Sequence, residues 1–468
     1  MSSNSGTILN RSNDHSPFMN AIKSRNSKSL PELYSSEINT EKMAQSKVEV
    51  ESSSAPGLGG RTLRIALPRY GILNRLYVHT RFGGAVYTVS STTNGVTTVP
   101  FLGAFFAKEY RIMYNGSILA KMNPHTLVSE MWKHSSQREK LKLKELLGGY
   151  NCPAAVGTNI THNGVGADVY GRFAAAGALG GIQDFYLPLD MWFSSIHSPN
   201  RGLDLSVLAN ECVLEIDTET ESNLFIKHGT VGTMPTLLNC SAVCYLTELD
   251  MDTEKQFRSL QYSMGSPLTQ LAYDTSHIIV SGNTAHTAGT DTVIDVKLNQ
   301  FSSQVFKLVV YATMTDNFAT NRHRLQPIVL NEIQIKATGS NIYNADNLNR
   351  KEDILEAFQN GGDMYSASVG DYGFEDITCN PQGFYEISFK HPQDFSKVSA
   401  SGSCAFGQLS TPSLRVVVGG DVAFGAQSNN IASSSSHPVD LHVIAYSTTL
   451  ISYNTNSSGS TNIRQIMN

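Results

Sequence analysis

The strongest constraint on how this 468-residue chain folds is that it repeats itself over a long period. Shifted by 223 residues, Glu109 to Ser117 (EYRIMYNGS) lies over Glu332 to Ser340 (EIQIKATGS), with Glu, Ile, Gly and Ser identical. Asn123, a residue type that caps helices, then lies over Asp346. At a shift of 231, Leu63, Ile65 and Leu67 fall on Ile294, Val296 and Leu298, and Tyr77-Val78 falls on Leu308-Val309. The difference between the two shifts reads as a change in loop length. Further on, Phe185-Tyr186 finds a counterpart in Phe384-Tyr385, and Glu211 to Ile216 corresponds loosely to Asp440 to Ala445. A period of this length is too great for a solenoid unit, so a whole domain is written twice.

The repeated unit is β. Leu63, Ile65 and Leu67 alternate with Thr62, Arg64 and Ala66, the period of a strand with one buried face. Asn115-Gly116 is a hairpin-turn dipeptide between Tyr110 to Ile112 and Ile118-Leu119. In the stretch from Asp184 to Asp217, Phe185, Leu187, Leu189, Met191 and Phe193 predict another half-buried strand. Ser198-Pro199-Asn200-Arg201-Gly202 should then reverse the chain. Alternation resumes at Leu203, Leu205 and Val207, and again where Cys212, Leu214 and Ile216 are set against Glu211, Glu215 and Asp217.

Helices are few. Asn123 caps, Pro124 takes the first helical position, and Leu127, Val128, Met131 and Trp132 mark an apolar face that ends before Gly148-Gly149. In the second copy Ile354 and Leu355 occupy the same face, closed by Gly361-Gly362. With 16% charged and 40% hydrophobic residues and many Gly, Ser, Thr and Asn, the composition favours short strands over long helices. The expected fold class is all-β: two tandem eight-stranded jelly rolls, each made of two facing sheets, with short helices in the loops.

Three segments follow. Residues 1–58 are rich in Ser, Asn and Glu and poor in aromatics, so a flexible N-terminal arm is expected. Its six basic and six acidic residues cancel, which makes it a poor ligand for a genome. The first jelly roll is placed at 59–245 and the second at 246–468, with a Ser/Asn-rich tail. The boundary sits at the start of Leu246 to Gln261, an acidic, helix-compatible stretch.

No chemistry is expected of the chain: no catalytic, cofactor-binding or metal-binding residue is assigned. Gly57-Leu58-Gly59-Gly60 lacks the Lys-Ser/Thr of a phosphate loop and opens a strand. No His-x-His pair of cupin type occurs among the thirteen histidines. His437 and His442 flank Pro438, which puts one in a turn and the other, a satisfied histidine, in a strand. The acidic run around Asp250 and Asp252 lacks the Gly and terminal Glu of an EF-hand loop. Six cysteines without a CxxC pair read as buried free thiols, consistent with assembly inside a cell. No signal-peptide core and no run of ~18 apolar residues is present, so a soluble chain is expected. A net charge of −5 gives nucleic-acid binding no support.

Three segments carry a family resemblance. The order FYLPLDMWF (185–193), polar turn, GLDLSVLANECVLEID (202–217) resembles double jelly-roll major capsid proteins of the nucleocytoplasmic large DNA viruses, virophages and polinton-like viruses. Ser401-Gly402-Ser403-Cys404-Ala405-Phe406 is similar to that family's Ser-Gly-Ser-Cys-Asn-Phe, with Ala405 in place of Asn. Leu441-His442-Val443-Ile444-Ala445-Tyr446 is similar to its Leu-His-Val-Tyr-Ala strand. The likeness covers roughly residues 60 to 450. It implies a structural subunit of the virion that forms a homotrimer, a pseudo-hexagonal capsomer tiling an icosahedral shell around double-stranded DNA. Its partners would be neighbouring capsomers and minor capsid or penton proteins, with the N-terminal arm available to an inner membrane or scaffold and no sequence-specific nucleic-acid binding. The competing expectations are a carbohydrate- or receptor-binding β-sandwich and a cupin-type enzyme.

Overall fold

A computed structural model describes residues 43–83, 95–99, 101–134, 142–143, 146–148, 183–194, 202–206, 208–228, 234–249, 268–286, 290–314, 330–346, 385–390, 402–418, 437–455 and 461–466. In the first half the strands are β1 (Met43–Glu51), β2 (Thr62–Ala66), β3 (Ile72–Gly83), β4 (Gly95–Thr98), β5 (Ala107–Tyr114), β6 (Ser117–Met122), β7 (Gln183–Pro188), β8 (Leu203–Asp204), β9 (Cys212–Thr218), β10 (Phe225–His228) and β11 (Thr236–Leu249). In the second they are β12 (Leu268–His286), β13 (Thr292–Lys297), β14 (Val305–Met314), β15 (Leu330–Ala337), β16 (Ser340–Asp346), β17 (Tyr385–Ser388), β18 (Ser413–Val418), β19 (His437–Thr455) and β20 (Thr461–Ile466). Short helices α1 (Leu102–Phe105), α2 (Pro124–His134) and α3 (Glu221–Leu224) lie in the loops of the first half.

Setting aside the small strands β4, β8, β10 and β20, each half has eight among the described residues. The first half pairs them as β1-β11-β3-β7 and β2-β9-β5-β6; the second as β12-β19-β14-β17 and β13-β18-β15-β16. Numbered within each half, both read 1-8-3-6 and 2-7-4-5. That is one jelly roll made twice, every pair antiparallel, which is the expected fold class.

In the second sheet of each roll the equivalence reaches single residues. Tyr110, Ile112 and Tyr114 point inward on β5, as do Ile333, Ile335 and Ala337 on β15. The β5–β6 ladder skips Leu119 at a bulge between Ile112 and Met113, and the β15–β16 ladder skips Ile342 at the same place. The turns match as well: Asn115-Gly116 and Thr338-Gly339 both take positive φ, the backbone of a tight hairpin that a second-position Gly adopts without strain.

Boundaries and registers expected from the sequence are corrected. Residues 1–58 are not all arm, because Met43–Glu51 is the first strand of the jelly roll, paired along its length with β11. Its inward Val48 and Val50 pack on the core while Lys47, Glu49 and Glu51 alternate with them, so a period-2 strand sits inside a polar composition. The last strand of the first half runs on to Leu249, four residues into the segment assigned to the second half. The counterpart of β9 is β18, not Asp440 to Ala445, which belong to β19, the counterpart of β11. In the first sheet, the register set over Tyr77-Val78 and Phe185-Tyr186 is one residue off. Inward Val78 pairs with inward Leu187, and its equivalent pair is Leu308 with Ile387; a one-residue slip would turn both side chains outward.

The strand expected from Phe185 to Phe193 ends at Pro188. Leu189, Met191, Trp192 and Phe193 then form a turn whose side chains are all buried, and the Trp192 indole N–H donates to the Leu119 carbonyl at 3.2 Å. Ser198 to Arg201, the second helix over Ile354 and Leu355, and Asp250 to Gln261 lie outside the described residues. The α2 start is as expected, with Asn123 Oδ1 accepting the Thr126 backbone N–H at 2.8 Å.

Candidate functional site, the seam between the halves

The first sheet of the second half is apolar on both faces, which its strand β14 (VFKLVVYATM) already shows as a nearly unbroken apolar run. Leu308, Val310, Ala312, Leu441, Val443 and Ala445 face their own core. Phe306, Val309, Tyr311, Ile444, Tyr446 and Tyr453 face the other way and join the core of the first half. The two rolls therefore share one apolar seam.

Polar groups fix the seam. Lys307 of β14 and Glu130 of α2 form a buried ion pair at 2.5 Å, with Glu386 of β17 at 3.7 Å. The ammonium lies 4.2 Å from the centroid of the Tyr446 ring, so its charge is also met by the ring face. The Tyr273 hydroxyl donates to the Asp190 carbonyl at 3.3 Å. Burial of two ions gains little net stability but fixes how the helix sits on the sheet. Beside them a cleft of about 410 Å³ is lined by residues of both halves, among them Lys108, Lys121, His125, Glu219 and His277.

The equivalent sheet of the first half has an outer face of another kind. His79 of β3 lies between Glu49 of β1 (Nδ1–Oε1 2.7 Å) and Asp184 of β7 (Nε2–Oδ1 3.0 Å). The Ser241 hydroxyl donates to Glu49, Arg81 donates to Asp184, and Tyr186 stacks on the imidazole with centroids 4.4 Å apart. The His79 ring hydrogen-bonds to Glu49 and holds its carboxyl below its ordinary value; Arg81, aided by His79, does the same for Asp184. Ionisable groups thus link β1, β3 and β7 across this face, and the Ser241 hydroxyl ties in β11.

Among the cysteines, Cys212, Cys240 and Cys244 are buried and unpaired, and burial pushes their thiols up to about 12, which keeps them protonated and inert. Cys404 is half-buried; Cys152 and Cys379 lie outside the described residues. Among the described residues no grouping of three His, Cys, Asp or Glu could hold a metal, and no helix is long and apolar enough to cross a membrane.

His437 is corrected from turn to strand: it opens β19 opposite His286. His442 is a buried strand histidine, as expected, but no local pattern foretells that His125 and His277 gather around it. The three are separated by more than a hundred residues each, and only the docking of α2 on the second sheet joins them.

No family model matches the chain, and no curated protein matches it. Solved structures do. PBCV-1 VP54, fitted into a reconstruction of the virophage Sputnik, is similar over 90% of this chain and 96% of its own at TM-score 0.60 and 14% identity. The Sputnik virophage structure is similar over 91% and 88% at TM-score 0.58 and 10% identity. The Faustovirus major capsid protein is similar over 87% and 90% at TM-score 0.56 and 11% identity. At such identities the likeness establishes the fold, a double jelly roll.

Proposed function

We propose that this chain is the major capsid subunit of a virus, resident in the virion shell and assembled in the host cell. Three copies form a pseudo-hexagonal capsomer that tiles an icosahedral shell around double-stranded DNA, beside neighbouring capsomers and minor capsid or penton proteins. The residues serve as structure, and no reaction is assigned to them.

One observation carries the reading. Within the chain, the first roll presents β6 and α2 to the outer sheet face of the second roll, covering it. Among the described residues the same sheet face of the first roll has no such cover, and the second roll's β16, built like β6, pairs only with β15. Leu119 of β6 is buried, whereas Ile342, at the equivalent bulge of β16, is 43% exposed. A chain with one used and one unused copy of two surfaces alike in backbone but not in side chains can close a ring with others of its kind, and two wedges per chain make three chains a six-wedge ring. The capsid proteins that share the fold give the same direction.

Negative-stain images of the purified chain test it. Three-fold particles with a hexagonal outline are expected. Single two-lobed particles that bind members of a glycan array would instead indicate a carbohydrate-binding sandwich.

A further inference from the structure

The seam carries a set of side chains for which the capsid reading has no use. His125 on α2, His277 on β12 and His442 on β19 meet where the helix docks on the second sheet. Ring centroids are 4.6 Å apart for His125 and His442, 5.2 Å for His277 and His442, and 5.3 Å for His125 and His277. Tyr311 lies flat on His442 at 4.6 Å, and its hydroxyl is hydrogen-bonded to His125 Nδ1.

The hydrogen bonds through this group run in one direction. The Thr126 backbone N–H can only donate, so the Asn123 atom that receives it is the amide oxygen. The Asn123 amide nitrogen is then the group 2.9 Å from His277 Nδ1, and it must donate. His277 Nδ1 is therefore bare, and its proton sits on Nε2, donated to His442 Nδ1 at 3.1 Å. The His442 proton in turn sits on Nε2 and is donated to Thr313 Oγ1 at 2.9 Å. Neutral imidazoles satisfy every bond of the relay. One more proton on either ring sets N–H against N–H, and turning Asn123 to relieve the conflict removes the cap of α2.

We propose that this relay is a proton-sensitive latch: the two rolls dock firmly while His277 and His442 are neutral, and the seam loosens when either takes up a proton. Burial acts in the same sense, lowering His277 to about 4 from an ordinary 6.5. A histidine lowered in the folded state binds fewer protons than in the unfolded chain between those two values, so the seam weakens as pH falls from about 6.5 toward 4. The surrounding charges are Lys108, Glu109, Lys121 and Glu219 on the cleft walls, Glu130 of α2 with Lys307 of β14 and Glu386 of β17, Asp274 on β12, which receives the Thr275 N–H, and Asp440 on β19. The latch does not depend on shell formation and can be tested whether or not the chain proves to be a capsid subunit.

Amide hydrogen exchange of the full chain at pH 7.5 and pH 5, corrected for the intrinsic pH effect, reads the seam directly. Protection over α2 is expected to fall roughly thirtyfold at the lower pH, about 1.5 pH units of one-proton linkage, while β5 and β15 in the two cores hold. The double variant His277→Gln/His442→Gln keeps each acceptor and donor without titrating, and it should lose this pH response. Asn123→Asp keeps the helix cap and offers a carboxylate to protonated His277, so it too should lose the response, and it remains readable where the double variant fails to fold. Equal α2 protection at both pH values in the unmodified chain, or an unmodified response in Asn123→Asp, overturns the latch.

Discussion

Two sheets of the same design, one in each half, carry opposite outer faces. At the place where the first roll has His79, Ser241 and Tyr186, the second has Val309, Ile444 and Glu386. Where the first has Arg81 beside Asn239, the second has Tyr311 beside His442. The inward faces differ far less, Val78 and Leu187 matching Leu308 and Ile387. Duplication therefore kept the cores and turns, and the change lies in what each sheet meets outside. An apolar face marks the seam inside the chain, and a charge-linked face marks a surface that meets water or a separable partner.

The contrast can be broken by mutation, most severely in the core. Leu189→Asp buries an unpaired carboxylate in a fully enclosed turn at a cost of several kcal/mol, and soluble protein should be lost. Ile342→Asp, on the exposed edge β16, should leave the melting temperature near that of the unmodified chain while preventing association. If both variants behave alike in solubility and melting, the edge is not the open counterpart of β6.

Next in size is the buried pair. Glu130→Gln removes the carboxylate nearest the buried Lys307 ammonium and is expected to cost about 3–5 kcal/mol in denaturant unfolding. On the open face Glu49→Gln removes a half-exposed partner of His79 and should cost less than about 1 kcal/mol. Similar losses would mean the two faces do not differ in burial as described.

The turns offer a finer comparison. Gly116→Ala and Gly339→Ala each place a Cβ at positive φ with nothing within 4 Å of it, so only backbone strain is felt. Each should cost about 1 kcal/mol, and the two costs should agree.

The smallest effect is with acid. Glu49 and Asp184 sit below their ordinary values of 4.5 and 3.8, so their contribution is present above those values and lost as pH falls beneath them. Stability of the open face should thus change only below about pH 4.5, a window more acidic than that of the seam. Asp184→Asn should flatten the acid limb of a pH–stability curve and leave the region above pH 5 unchanged.

Much of this was legible in the sequence where local pattern decides structure. The β5 and β15 strands, their Gly turns and the Asn123 cap follow from alternation and turn chemistry over a few residues. Strand β1 was hidden because its two core residues, Val48 and Val50, are set in a polar stretch whose composition argues for disorder. The register of the first sheet was hidden because ladder irregularities, such as those between Tyr245 and Leu246 and between Val305 and Lys307, shift pairing without leaving a mark in the residue pattern. The histidine relay was beyond reach, since it exists only after distant segments dock.

Light scattering on the purified chain puts the central claim to its most direct test. The proposed capsomer of three chains predicts a mass three times that of the chain, and Ile342→Asp, at an exposed position of β16, should return it to one. A unit mass that persists in the unmodified protein across concentration and salt would contradict the account.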